Sequence, residues 1–385
     1  MRDPLSAHRL DGLGTTVFAE MSALALATGS VNLGQGFPDT DGPPEVAEAA
    51  IKAIRDGVNQ YPPGPGAPDL RQAIAEHQQR FYGLTFDPAT EVVVTTGATE
   101  AIAAALLGLV DPGDEVVALE PFYDSYAACI AMAGGVRVPV TLHAPDFRLD
   151  LGRLRDAVTD RTRLILLNSP HNPTGTVLHD DELAAVAALA VERDLVVVTD
   201  EVYEHMTYAV AHRPLATFPG MAERTLTVSS GGKTFSFTGW KIGWACGPAA
   251  LVRPVLMAKQ YLTFVSGAPF QPAVAVGLRL PDAYFDRLRN TLRGKRDRLV
   301  TGLRAAGMTA YVPEGTYFVT ADVRPLGYDD GVTFCRDLPH RVGVVAIPHQ
   351  VFYDDLEAGR PLVRFAFCKR DEVLDDAITR LASLR

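Results

Sequence analysis

The chain has 385 residues, 47% of them hydrophobic and 21% charged, a soluble globular composition with room for two domains or one large α/β domain and an appendage. A formal net charge of −10 argues against a nucleic-acid-binding surface, and the longest apolar runs, such as residues 184–191, are too short to span a bilayer. Met1 to Leu10 lacks the apolar core of a signal peptide, and four scattered cysteines without a CxxC spacing point to reduced thiols in a cytoplasmic protein, not to a metal site or a disulfide framework.

In chain order, Thr15 to Ala27 reads as a helix or arm with Phe18, Met21, Leu24 and Leu26 as its apolar set. Val31-Asn-Leu-Gly-Gln-Gly-Phe-Pro-Asp39 is a loop whose glycines allow close backbone approach to a ligand. Pro44 to Asp56 and Pro68 to Tyr82 are helices, each with proline at its start. Between them Asn59 to Gly66 is a rigid loop with one tyrosine, Tyr61, which would serve equally as a packing residue.

Strands and helices then alternate. Glu91 to Thr96 is a strand, Gly97-Ala-Thr99 a tight turn, and Glu100 to Val110 a helix; small residues feeding a helix N-terminus make an anion site from free backbone N–H groups. Asp114 to Glu120 is a strand leading into Pro121-Phe-Tyr-Asp-Ser-Tyr126, whose rings fit either a site or a core. Arg163 to Asn168 is a buried strand ending in Ser169-Pro-His-Asn-Pro-Thr-Gly175, a structured loop suited to a cis X–Pro bond. Asp180 to Arg193 is the crossover helix, and Leu195 to Thr199 the next strand. That strand ends in Asp200, either a helix N-cap or an acid that needs a cationic or hydrogen-bonding partner. The run beginning Thr225-Leu-Thr-Val228 breaks into Ser229-Ser-Gly-Gly232 and delivers Lys233, with Lys241 after it.

Strands separated by helices give a mostly parallel sheet with helices on both faces, and ligands bind such sheets at the C-terminal strand ends. Gly97, Tyr123, Asn172, Asp200 and Lys233 all follow strand ends, so the sheet brings them to one edge. A lysine among small residues at a buried strand end loses its proton more easily than a surface lysine and can form a Schiff base with an aldehyde. The hydroxyls of Ser229 and Ser230 and the charge of Lys241 suit a phosphate. An aldehyde and a phosphate on one small molecule point to pyridoxal 5′-phosphate. A solvated loop lysine is the plain alternative for Lys233.

Beyond Pro269 the pattern changes. Asp282 to Ala306 is a long charged helix with one leucine stripe, and short strands follow at Thr316 to Thr320, Val342 to Ile347 and Leu362 to Phe367. These suggest a smaller α+β domain joined by the N-terminal segment. The expected division is 1–44 for the arm and part of the small domain, 45–275 for the large cofactor-binding domain, and 276–385 for the small domain. Arg364 interrupts the last apolar strand, either as a solvent-face residue of an edge strand or as a bidentate grip on a carboxylate.

Asn168 to Gly175, Asp200-Glu-Val-Tyr203, Ser230-Gly-Gly-Lys233, Lys241 and Arg364 together resemble the fold-type I, class I aminotransferases over nearly the whole chain. Asn32 to Asp39 and Glu120 to Tyr126 look like the kynurenine/glutamine/methionine aminotransferase branch. Phe18 to Leu24, Asn59 to Gly66 and Thr238 to Pro248 look most like N-succinyldiaminopimelate aminotransferases. The resemblance implies a homodimeric pyridoxal-phosphate enzyme. In it Lys233 holds the cofactor and moves the Cα proton, and Asp200 pairs with the ring nitrogen. Asn172 and Tyr203 bond the phenolic oxygen, and Tyr123 stacks on the ring. Ala98, Thr99, Ser230 and Lys241 hold the phosphate, and Tyr61 reaches the neighbouring subunit's phosphate. Arg364, Asn172 and the Gly36 backbone bind the substrate carboxylate. His349-Gln350 stands where relatives often carry a small residue, and Phe18 where some carry tryptophan near the side-chain pocket. A cysteine-conjugate β-lyase on the same scaffold is an alternative chemistry, and a non-catalytic cofactor-binding regulator a third reading.

Overall fold

The computed structural model describes residues 7–11, 14 and 16–384. Met1 to Ser6, which make up most of the stretch read as lacking a signal peptide, and Thr15, the expected start of the first helix, lie outside the described residues; that helix runs Val17–Thr28.

In chain order the strands are β1 (Val31–Asn32), β2 (Val92–Thr96), β3 (Glu115–Glu120), β4 (Val136–Thr141), β5 (Thr162–Asn168), β6 (Val196–Asp200), β7 (Thr225–Ser230), β8 (Ile242–Cys246), β9 (Thr309–Ala310), β10 (Phe318–Asp322), β11 (Val344–Val345), β12 (Ile347–Pro348) and β13 (Leu362–Ala366). Seven of them form the central sheet in the order β2-β8-β7-β6-β5-β3-β4. All pairings in it are parallel except those that β8 makes with β2 and β7. The fold is thus α/β with a mostly parallel sheet, as expected.

The apolar runs explain the sheet. Along β5, Leu164 and Leu166 enter one core cluster while Ile165 and Leu167 enter another on the opposite face. Strand residues alternate sides, so a strand covered on both faces must be apolar throughout. Each such side chain removed from water contributes about 1.5–3 kcal/mol.

Two strands of this sheet escaped the sequence pattern. β4 is the sheet edge, where Pro139 costs no ladder bond and Val136 can stay exposed. β8 contains Gly243, whose missing side chain weakens the strand signal. A Cβ there would lie 2.5 Å from the Gly97 carbonyl carbon, so β8 crosses beneath that backbone only as glycine. Two boundaries also differ. Ser229 and Ser230 continue β7, and Gly97 to Thr99 form the first turn of helix Gly97–Leu109, not a separate tight turn.

A second, four-stranded sheet has the order β12-β13-β10-β9. Helices Asp282–Ala305 and Gly331–Val342 pack on it, and Asp371–Leu381 packs on the first of these and on the β1–β11 pair. The expected strand 342–347 is split: β11 pairs in parallel with β1, and β12 pairs with β13. Arg364 therefore sits on an inner strand, between β12 and β10. That excludes its reading as a solvent-face residue of an edge strand.

Candidate active site

Strand β7 ends at Ser230, and one helical turn, Gly231–Thr234, carries Lys233. The turn is tight: a Cβ on Gly232 would stand 3.0 Å from Thr238 Cα. Lys233 Nζ donates to the Gly36 carbonyl at 3.1 Å, and the Tyr317 hydroxyl donates to the same oxygen at 2.6 Å. Burial lowers the lysine to about 8. A Cβ on Gly36 would lie 2.6 Å from Phe318 Cζ, which explains the glycine in the loop that meets the lysine.

Asp200 closes β6 and is 5% exposed. Its Oδ2 accepts from the Tyr126 hydroxyl at 2.6 Å and its Oδ1 from Val202 N at 3.3 Å. Burial raises the carboxyl to about 6, against the hydrogen bonds from Tyr126 and Val202. The loop after β5 is tied to it: Asn168 Nδ2 donates to the Asp200 carbonyl at 2.8 Å, while Asn168 Oδ1 accepts from Asn172 N at 2.7 Å. Within that loop the Ser169–Pro170 and Asn172–Pro173 bonds are cis, as the proline spacing suggested.

Asn172 in turn meets Arg364, whose Nη1 donates to Asn172 Oδ1 at 2.8 Å and whose Nη2 donates to the Gly34 carbonyl at 3.0 Å. The guanidinium is 1% exposed and lies 4.0 Å from the Phe318 ring centre, with Phe18 at 5.2 Å and Phe352 at 5.3 Å. Its Nε has no partner, and among the described residues no carboxylate forms an ion pair with it. A buried cation that lacks a counter-ion is costly unless an anion arrives to pair with it.

The opposite end of the cavity is built for a different anion. Gly97 has φ +76° and opens helix Gly97–Leu109, and Lys241 is itself left-handed at φ +54°. A Cβ on Gly97 would come within 2.9 Å of Lys241 Nζ, so the ammonium lies directly over the glycine. First-turn N–H groups such as those of Ala98 and Thr99 have no acceptor inside the helix, and the macrodipole adds positive potential there.

One cavity of about 440 Å³ joins these parts, lined by Ala98, Thr99, Tyr123, Asn172, Asp200, Tyr203, Ser230, Lys233, Lys241 and Arg364, with Gly36 and Phe18. Every expected site residue except Tyr61 is there. Tyr61 is 80% exposed and packs edge-on against Phe264, 5.2 Å between ring centres. His349 is fully buried against Thr320 Oγ1, outside the cavity lining. Tyr126, Thr238, Asp124 and Gln35 also line the cavity and were not singled out as site residues. For Tyr126 the only signal was its place three residues after Tyr123. The set fits a small ring bearing an aldehyde and a phosphate: a lysine poised to lose its proton, a buried acid, and a cationic helix N-terminus. An unpaired guanidinium remains for a second molecule's carboxylate.

A family model described as aminotransferase class I and II matches residues 28–381. The chain is 58% identical to the Mycobacterium tuberculosis protein named "Probable N-succinyldiaminopimelate aminotransferase DapC", across 99% of this chain and 98% of that protein. It is 40% identical to the methionine aminotransferase of Escherichia coli, across 98% and 97% respectively. The solved structure of N-succinyldiaminopimelate aminotransferase from Mycobacterium tuberculosis matches with a TM-score of 0.97 at 59% identity, over 99% of this chain and 100% of that one.

Proposed function

The chain belongs to the class I and II aminotransferases and is an aminotransferase, and on that premise we propose that it works with pyridoxal 5′-phosphate, as a cytoplasmic homodimer, by ping-pong kinetics. The unpaired guanidinium of Arg364 carries this reading: buried without a counter-ion, it suits the α-carboxylate of an incoming amino acid. The cofactor, when bound, supplies the aldehyde that takes up the amino group and a ring that spreads the electron pair left at Cα.

The chain's own residues do the rest. Lys233 would hold the aldehyde and would move the proton from Cα, for which a lysine held near neutrality is suited. Asp200 would keep the ring nitrogen protonated, and Tyr123 would cover the ring face. Asn172 and Tyr203 would donate to the phenolic oxygen. Ala98, Thr99, Ser230 and Lys241 hold the phosphate. Arg364 and Asn172, with the Gly36 backbone, fix the carboxylate and so orient the Cα bond to be broken. Tyr61, turned away from its own cavity, would reach the phosphate of the partner subunit. Residues 45–275 would form the cofactor domain, with 1–44 and 276–385 as arm and small domain; the pairing of β1 with β11 supports joining the arm to the latter. Four unpaired, buried cysteines accord with the cytoplasm. No helix among the described residues is long and apolar enough to cross a membrane.

Glutamate and 2-oxoglutarate are the shared pair in this reading, and likeness to the mycobacterial protein favours N-succinyl-LL-2,6-diaminopimelate as the other substrate. A second reading rests on the wall of the cavity around Phe18, Phe37, Gln35 and Thr16, which is uncharged and suits methionine or kynurenine side chains. The test is to mix the loaded enzyme with one donor at a time, without acceptor, and follow the loss of the cofactor's visible absorbance. Fastest loss with the succinylated donor supports the first reading; fastest loss with methionine or kynurenine supports the second. Pyruvate and ammonia from a cysteine conjugate would reveal β-elimination. No response to any donor would overturn the assignment of this cavity.

A further inference from the structure

Asp200 is held by a residue that none of the expected roles includes. Tyr126 lies in the first turn of helix Asp124–Ala133, directly after Tyr123, and is buried. Its hydroxyl donates to Asp200 Oδ2 at 2.6 Å, in the range of a bond to an ionised acceptor. Its ring stands edge-on to Tyr123, 5.9 Å between centres at an interplanar angle of 83°. One phenol therefore touches both the acid at one edge of the cavity and the aromatic ring beside it.

We propose that Tyr126 is the positioning residue of Asp200: its hydroxyl fixes Oδ2, leaves Oδ1 for the cofactor's ring nitrogen, and holds the carboxylate in its charged form. The inference rests on the reading of the cavity as a pyridoxal-phosphate site. Oδ1 has only one long bond, 3.3 Å to Val202 N, so it keeps capacity for a further donor. The charged groups facing Asp200 are Lys233, which favours its ionised form, and Glu201, which opposes it. The other neighbours, Tyr123 and Tyr203, are phenols that burial keeps neutral. Against burial, which pushes the carboxyl up to about 6, the Tyr126 hydroxyl is the first opposing influence. Without it the acid would be protonated over more of the neutral range and would pair less well with a protonated ring.

The test uses apoenzyme and pyridoxal phosphate, with the quenching of the two tryptophans as the binding signal. Tyr126→Phe keeps the ring and its contact with Tyr123 and removes only the hydroxyl. The expected result is an affinity about tenfold lower near pH 5 that narrows to about twofold at pH 7 and vanishes above pH 8, because the acid limb of the binding curve moves up by about one pH unit. In an Asp200→Asn background the same substitution should change nothing further. A cofactor analogue with carbon in place of the ring nitrogen should bind wild type and Tyr126→Phe equally. Loss of affinity by one factor at every pH, an equal loss for the nitrogen-free analogue, or effects that multiply in the double variant would each overturn the proposal. Wild-type apoenzyme that failed to bind pyridoxal phosphate would overturn the underlying reading of the site, and this inference with it. Normal wild-type binding with an unaffected Tyr126→Phe would overturn the inference alone.

Discussion

Arg364 Nη1 donates to Asn172 Oδ1 at 2.8 Å across 192 residues of sequence. Asn172 belongs to the loop that closes β5 of the central sheet, and Arg364 to β13 of the smaller one. The bond joins the two sheets at the cavity, and Asn168 continues it to the backbone of Asp200. Arg364, the proposed carboxylate site, is thus connected by hydrogen bonds through Asn172 and Asn168 to the strand end that carries Asp200.

Arg364→Lys keeps the charge and loses the fork that can grip a carboxylate while bonded to Asn172 and Gly34. The expected cost is about 2 kcal/mol in substrate binding, roughly 30-fold in KM for both amino acid and oxo acid. Cofactor affinity should stay within about twofold, since the guanidinium faces the substrate. Steady-state kinetics with glutamate and 2-oxoglutarate measures this; an unchanged KM for both would remove Arg364 from the carboxylate site.

Lys233 offers a pH prediction. Only a neutral amine attacks an aldehyde, and burial lowers this lysine to about 8. Capture of pyridoxal phosphate by apoenzyme should therefore accelerate as pH rises from 6, reach half its maximum near 8, and level off well before the range of an ordinary lysine near 10.4. Stopped-flow absorbance gives the rate. A rate still climbing steeply above pH 10 would mean that the site does not perturb the amine. Lys233→Ala should show no covalent capture and no turnover.

Much of this site was legible because of where its residues fall. β5, β6 and β7 are buried on both faces, so their apolar runs have sharp ends, and Asn172, Asp200 and Lys233 lie at or just past those ends. Position in the chain predicts position on the sheet edge for such residues. Tyr126 was not legible, because its partner is 74 residues away and a tyrosine in a helix first turn reads equally as core. Nor was the burial of Arg364: strand order, not composition, decides whether a strand with one charge lies inside a sheet or at its edge. β8 was missed for a physical reason too, since its glycine serves the crossing beneath Gly97 at the expense of strand propensity.

Gly97→Ala tests the phosphate end. Alanine at φ +76° is strained by about 1–2 kcal/mol, and its methyl would displace the Lys241 ammonium. Affinity for pyridoxal phosphate should fall by about tenfold or more, and free phosphate should protect the apoenzyme less against heat than it protects wild type. Wild-type affinity in a folded Gly97→Ala protein would show that the phosphate binds elsewhere.

The exposed position of Tyr61 leads to a test of assembly. In its own protomer the ring lies outside the cavity and packs on Phe264. If it completes the partner subunit's site, Tyr61→Ala should weaken cofactor binding without touching the cavity of its own chain. Mixing then discriminates. A dimer of one Lys233→Ala protomer and one Tyr61→Ala protomer has one site with both defects and one with neither, because each Tyr61 serves the opposite site. Equal amounts of the two inactive or weakened proteins, dissociated and reassembled, should recover about a quarter of wild-type activity at limiting cofactor, since half the dimers are mixed and each holds one intact site. A Tyr61 that acted within its own chain would leave every site in the mixture defective, and no recovery would appear. Sedimentation of the unmixed proteins as monomers at assay concentration would remove the shared site altogether.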